Sequence, residues 1–213
     1  MFVYLIRHAE GKDSKTNWQT PETPLGEMGK KQADALGQLS RLRNIDLILT
    51  SEWQRSLETA QILAKRLGKP YKIIKGIQER KQHNEIYKTA FASDISKKYF
   101  QGFLNNVHDL DWKFNEQEES FRELSKRAIN FKNSLVKEYL YKNLVVISHE
   151  HFLKSLISVC MLGDDFDDES YVKIIHSIIL VNSGVSLVEY IEKIKRWRVW
   201  YINDFSHFRF FKK

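Results

Sequence analysis

The chain has 213 residues, with 34 Lys and Arg against 27 Asp and Glu, for a net charge of +7. Hydrophobic residues at 42% and aromatics at 13% are enough to bury a core, which excludes a globally disordered chain. The longest apolar stretches, such as Ser177 to Val181, fall far short of the ~20 residues of a membrane-spanning helix, and a lone cysteine, Cys160, excludes an intrachain disulfide framework.

At roughly 150 residues per domain, the length predicts a single domain over 1–213. Met1 to Ile6 is a short apolar run with no basic leader that meets Arg7 at once, so it reads as a first strand and not as a signal peptide. Glu27 to Leu42 carries apolar residues at helical spacing, and Asp46 to Thr50 is strand-like. Arg55 to Leu67 is helical again, with Gly68 as a stop signal and Pro70 beyond it. Tyr71 to Ile74 reads as a short strand. The segment from about 80 to 118 breaks this rhythm: it is polar, rich in aromatics and too long for an ordinary connection. It reads as a helical insertion over the active-site end of the sheet.

Phe121 to Tyr141 is a long amphipathic helix, Asn143 to Ser148 a buried strand, and Phe152 to Leu162 a helix whose apolar face holds Cys160 as a packed thiol. Ile178 to Val181, Val185 to Ile191 and Arg196 to Tyr201 read as strands, the last two joined by a turn near Glu192 and Lys193. Strands alternating with helices give an α/β fold, a three-layer α/β/α sandwich with a mostly parallel, mixed central sheet. The tail from Lys193 to Lys213 has the composition of a nucleic-acid stacking surface, but its alternation favours an edge hairpin with lysines guarding the outer face.

In open α/β folds, ligands bind in the crevice beyond the carboxyl ends of the strands. Three such ends are polar here: Arg7-His8-Ala9-Glu10, Thr50 to Arg55, and Ser148-His149-Glu150-His151. Gathered at one rim, they supply two arginines and two or three histidines. Guanidinium forks grip phosphate oxygens in pairs and keep their charge at any working pH. One imidazole can attack phosphorus and split a hard displacement into two steps, while a second donates hydrogen bonds to the equatorial oxygens. The leaving alcohol then needs a proton, best supplied by a carboxyl group with a raised pKa. Glu79, just past the Tyr71–Ile74 strand, is placed to give it. His149 and His151 also form a His-x-His pair of the metal-binding kind, but the chain lacks the further strands and ligands of a metal hydrolase. His151 is expected at a pocket rim, and His83, His108, His176 and His207 at the surface or in capping roles.

Through these motifs the chain resembles the histidine phosphatase superfamily, the phosphoglycerate mutase-like branch 1. Arg7-His8-Ala9-Glu10 is similar to the family's opening Arg-His-Gly-Glu, with Ala9 for glycine. Leu25 to Ala33, Thr50 to Ala60, Glu119-Ser120, Val145 to His149 and Asn182 to Ser186 follow in the family's order over essentially the whole chain. The resemblance implies that His8 is the nucleophile forming phosphohistidine, that Arg7, Arg55 and His149 hold the phosphoryl group, and that Glu79 is general acid and then base. Asn17 adds a phosphate contact. The implied activity is that of a metal-independent phosphoric monoester hydrolase with no cofactor. Its expected partners are a small phosphorylated substrate and inorganic phosphate, not nucleic acid or a membrane, in a cytoplasmic monomer or homodimer. A phosphoglycerate-type mutase and a non-catalytic phosphate-binding module are the alternatives.

The chain also departs from the family pattern. Ala9 is tolerated where the local φ is negative, and Gly26 forfeits a helix-capping side chain. After Glu79 the chain reads Lys81-Gln82-His83-Asn84-Glu85, which makes Glu85 a rival acid.

Overall fold

The computed structural model describes residues 1–87 and 89–207. Its strands are β1 Phe2–Arg7, β2 Leu47–Thr50, β3 Tyr71–Ile73, β4 Leu144–Ser148, β5 Val185–Ile191 and β6 Arg196–Asp204. Its helices are α1 Glu27–Leu36, α2 Gln54–Leu67, α3 Asp94–Asn105, α4 Phe121–Tyr139, α5 Glu150–Leu162 and α6 Asp168–Ser177. The strands form one sheet in the order β3-β2-β4-β1-β5-β6. The first four in that order run parallel, and β5 and β6 pair antiparallel beyond β1.

Successive strand side chains point to opposite faces, and here both faces are apolar. Val3, Leu5, Leu49 and Val146 pack on one face with Leu124 and Phe131 of α4, Phe152 and Leu156 of α5, and Tyr171 of α6. Ile6, Ile48, Val145 and Ile147 pack on the other with Leu36 of α1 and Ala60 and Leu63 of α2. Helices on both faces make the three-layer sandwich that the alternation implied. Cys160 is buried in the first of these clusters, and its burial pushes the thiol up to about 12.

The 80–118 segment carries α3, and its two ends are pinned together by a fully buried ion pair, Arg80 to Glu118 at 2.7 Å. Ser93 starts α3 by accepting from the Ser96 N–H. At the far edge of the sheet, β6 alternates as expected: Trp197, Val199 and Tyr201 are half-buried, while Arg196, Arg198 and Trp200 are exposed. The rest of the tail reading, Phe208 to Lys213, lies outside the described residues. Among the described residues no helix is long and apolar enough to cross a membrane.

Three expectations need correction. α1 ends at Leu36, where Gly37 follows, and Leu42 packs from a separate short 3-10 turn, Ser40–Leu42. Ile178 to Val181 is not a strand, because the free edge of β1 is already taken by β5. Side chains satisfy its backbone instead: the Leu180 carbonyl accepts from Arg7 Nη1, and the Val181 N–H donates to Asn203 Oδ1. Third, His83 and His207 are buried, not superficial. His83 stacks on Phe114 with ring centroids 4.8 Å apart, whereas His108 and His176 are exposed.

Candidate active site

Because β2, β4 and β1 are adjacent and parallel, their carboxyl ends open on one rim. Arg7 lies opposite Ser148, and Thr50 opposite Ile147. The next residues therefore fall side by side: His8 N–H donates to the Ser148 carbonyl at 2.9 Å, and Ser51 N–H to the Ile147 carbonyl at 3.2 Å. The imidazoles of His8 and His149 come within 4.9 Å, centroid to centroid. Arg55, in the first turn of α2, donates from Nε to His8 Nε2 at 2.9 Å and from Nη1 to the Thr20 carbonyl at 2.9 Å.

The tautomer of His8 follows from its neighbours. Nδ1 lies 2.7 Å from the Ala9 carbonyl, and a carbonyl only accepts, so Nδ1 carries the proton and Nε2 presents a lone pair. Burial first, then the charges of Arg55, His149 and Arg7, hold His8 well below the usual histidine range, so the ring is neutral. Burial and Arg55 depress His149 in the same way. Its Nε2 meets Ser51 Oγ at 2.6 Å, and its Nδ1 is buried with no hydrogen-bond partner. Burial brings the Arg55 guanidinium down to about 10, still charged at neutral pH. Arg7 pairs through Nη1 with Glu150 at 2.8 Å, and its Nε is buried and unpartnered. Buried polar groups are rarely left so. Two of them beside one imidazole mark a place for an oxyanion.

Glu79 is held from the first turn of α5. Its Oε1 accepts from the N–H groups of Arg80 and His151 at 2.9 Å and of Phe152 at 3.3 Å. Burial works to raise its pKa, but His151, His149 and the Arg80 N–H overturn that effect and hold the carboxyl well below its usual range. The acid is thus ionised in the free protein, contrary to the raised pKa expected. Arg7, His8, Asn17, Arg55, Glu79 and His151 line one cleft of about 410 Å³. His149 touches it through His8 and Trp53, each ring 4.9 Å away. A larger hollow of about 700 Å³, between α4, α5 and the β5–β6 turn, contains none of these groups.

The histidine phosphatase superfamily (branch 1) model matches residues 3–203. The chain belongs to this superfamily. It is 27% identical over 161 residues to an adenosylcobalamin/alpha-ribazole phosphatase of Escherichia coli (strain K12), covering 74% of this chain and 78% of that protein. It is 24% identical to the uncharacterized phosphatase PhoE of Bacillus subtilis (strain 168), over 99% of this chain and 98% of the relative. A solved phosphoserine phosphatase of Entamoeba histolytica, in complex with 3-phosphoglyceric acid, superposes with a TM-score of 0.77 at 21% identity, covering 97% and 98% of the two chains. That last likeness is one of fold.

The superfamily's opening motif tolerates Ala9 here because the residue is not among those with positive φ; it is fully buried. Gly26 precedes α1 with no side-chain cap, as its sequence required. Gly29 is needed for a close approach: a Cβ there would stand 2.0 Å from the Glu10 carbonyl oxygen. The rival acid Glu85 is exposed and does not line the cleft. The His149/His151 pair does not converge on a metal-like cluster: His151 Nδ1 faces Glu79 Oε1 at 3.6 Å, and among the described residues no three His, Cys, Asp or Glu side chains gather as ligands.

Sequence reasoning missed Glu150, Trp18 and the role of Asn182, whose Nδ2 donates to the His8 carbonyl at 3.0 Å. Glu150 could have been flagged by its place directly after His149. Trp18 gave no signal beyond its neighbour Asn17.

Proposed function

We propose that the chain is a metal-independent phosphomonoester hydrolase, acting through phosphohistidine on a small phosphorylated metabolite. The observation that carries this reading is the neutral His8, its Nε2 lone pair set between Arg55 and the second imidazole, beside the unpartnered Arg7 Nε and His149 Nδ1. The relatives' names, alpha-ribazole phosphatase and phosphoserine phosphatase, support the same reaction class. The single buried thiol fits a reducing setting.

In this mechanism the phosphoryl oxygens take over the donors of Arg55, Arg7 and His149, with Asn17 at the cleft wall adding a contact. With the Ser51 hydroxyl donating to Nε2, His149 carries its proton on Nδ1 and offers it to an equatorial oxygen. A substrate monoanion loses its proton between the two guanidiniums, and Glu79, raised by the incoming dianion, takes it. His8 Nε2 then attacks phosphorus while the bond to the leaving oxygen breaks, and that oxygen receives the Glu79 proton. The alcohol departs and phosphohistidine remains. In the second half, the Glu79 carboxylate takes a proton from water, the water oxygen attacks phosphorus, and the P–N bond breaks. Glu79 passes that proton to the phosphate, which leaves as the monoanion, and the His8 lone pair and the Glu79 carboxylate are both restored.

Phosphate release from an aryl phosphate, with acid-quenched trapping of labelled protein, tests the reading. His8→Ala is expected to lose roughly 10³-fold or more of the rate and all of the acid-labile label. Retained turnover or label in that variant overturns it.

A further inference from the structure

The cleft is much larger than a phosphoryl group, and the part beyond the two arginines is walled by aromatic rings. Trp18 stacks on Phe100 with centroids 5.3 Å apart at 27° and meets Phe91 edge-on at 5.4 Å. Tyr87, Phe91 and Phe100 come from the 80–118 segment and line the same cleft as His8 and Arg55. This wall is not a loose flap. The Trp18 N–H donates to the Thr89 carbonyl at 3.0 Å, the Phe91 N–H to the Thr16 carbonyl at 2.9 Å, and the Trp18 indole to Ser96 Oγ at 2.9 Å. Phe100 nevertheless remains 41% exposed. With Trp18, Phe91 and Tyr87 it makes a continuous aromatic wall inside the cleft, and an apolar wall of that kind points to a ligand that covers it.

The charges of the same cleft say what that ligand lacks. Apart from Arg7 and Arg55, the described lining residues hold two further cations, Lys15 and Arg80. Arg80 is 1% exposed and committed to Glu118 and the Glu119 carbonyl. Lys15 is 80% exposed and lies 3.9 Å from Glu10. Against them stand the carboxylates of Glu10 and Glu150. A carboxylate or second phosphate on the substrate would meet the Glu10 and Glu150 carboxylates there, with only the exposed, solvent-screened Lys15 ammonium to offset them. We propose that the substrate is a monophosphate ester of an uncharged alcohol bearing an aromatic ring, which stacks on the Trp18–Phe100 wall. Phosphoglycerates and bisphosphates are disfavoured, and with them the mutase chemistry that needs them. The inference rests on the hydrolase reading above.

The test compares 2-phenylethyl phosphate with ethyl phosphate, whose leaving alcohols have similar acidity, so that a difference reports binding of the ring. Covering a phenyl group on this wall is expected to raise kcat/KM roughly ten- to hundredfold. 3-Phosphoglycerate and choline phosphate are expected to fall at or below ethyl phosphate. Phe100→Ala, at a position already partly in water, is expected to pull the phenylethyl-to-ethyl ratio back toward one, and Trp18→Ala to do so further. Equal rates for the two alkyl esters, a preference for 3-phosphoglycerate or for choline phosphate, or a ratio untouched by both substitutions overturns the proposal while leaving hydrolysis intact. Failure of the folded protein to turn over any of the four esters overturns the hydrolase reading as well.

Discussion

Removal of Glu118 isolates a buried charge, and the structure sets the size of the penalty. The Arg80 guanidinium is 1% exposed, and its partners are Glu118 Oε1 at 2.7 Å, the Glu119 carbonyl at 2.6 Å and the Tyr99 hydroxyl, with the Phe121 ring 4.6 Å from its Cζ. Glu118→Ala leaves a desolvated cation facing neutral acceptors only, and also strips the Phe114 N–H of the Glu118 Oε2 acceptor it reaches at 2.7 Å. Breaking one side of such a pair costs about 3–5 kcal/mol. At about 2–4 °C per kcal/mol for a chain of this size, the melting temperature should fall by roughly 6–20 °C. Calorimetry and urea titration read this directly. The double variant, Arg80→Met with Glu118→Leu, removes both charges and should recover part of the loss. The Phe114 N–H, already unpaired in the single variant, and the Glu119 carbonyl keep that recovery partial. A single variant that loses less than about 1 kcal/mol, or a double variant no more stable than the single one, refutes the reasoning.

Gly29→Ala should destabilise the protein by about 1–3 kcal/mol in urea titration, despite alanine's better helix propensity, because the added Cβ collides with the Glu10 carbonyl. Glu150→Gln removes the carboxylate that competes for Arg7; inhibition by inorganic phosphate should tighten roughly three- to tenfold, and an unchanged or weaker Ki counts against the pairing. His8 and His149 are both depressed by burial and by Arg55, so the fold favours their neutral forms. The unfolded chain therefore binds more protons below its histidine pKa, near 6.5. Stability should fall as pH drops from there: these two contribute a limiting slope of about 2–3 kcal/mol per pH unit, and His176 and His207, also depressed by burial, add to it. Urea midpoints between pH 7 and 5 measure that slope, and His8→Asn should remove about 1.4 kcal/mol per pH unit of it, the share of one histidine. Dialysis against EDTA should leave phosphate release unchanged; loss restored by zinc would return attention to His149 and His151.

The sheet and the reactive residues were readable because both depend on local pattern. A continuous apolar run such as Leu144 to Ile147 that ends in a polar cluster has the pattern of a buried strand, and the polar groups that end it then fall at the rim of the sheet. Ile178 to Val181 shows the limit: its composition is that of a strand, and only knowledge that β5 occupies the neighbouring edge excludes it. α6 went unseen, although Asp167 caps it and Tyr171, Val172 and Ile175 keep helical spacing. The ionisation of Glu79 was misjudged for a different reason. Two of the three N–H groups that donate to its carboxylate, those of His151 and Phe152, belong to residues more than seventy positions away, which no window of sequence brings near it. The Trp18 wall is likewise a product of pairing between two distant loops.

The first turn of α5 has a double duty. It begins at His149 and ends its opening N–H groups on Glu79, so the helix end that orients one imidazole also fixes the charge of the carboxylate. Any displacement of that turn, whether by substitution, crowding or an inhibitor wedged behind it, disarms both functions in a single stroke. A screen for loss of activity should therefore find hits along α5 that lie well outside the cleft yet mimic removal of two catalytic groups at once.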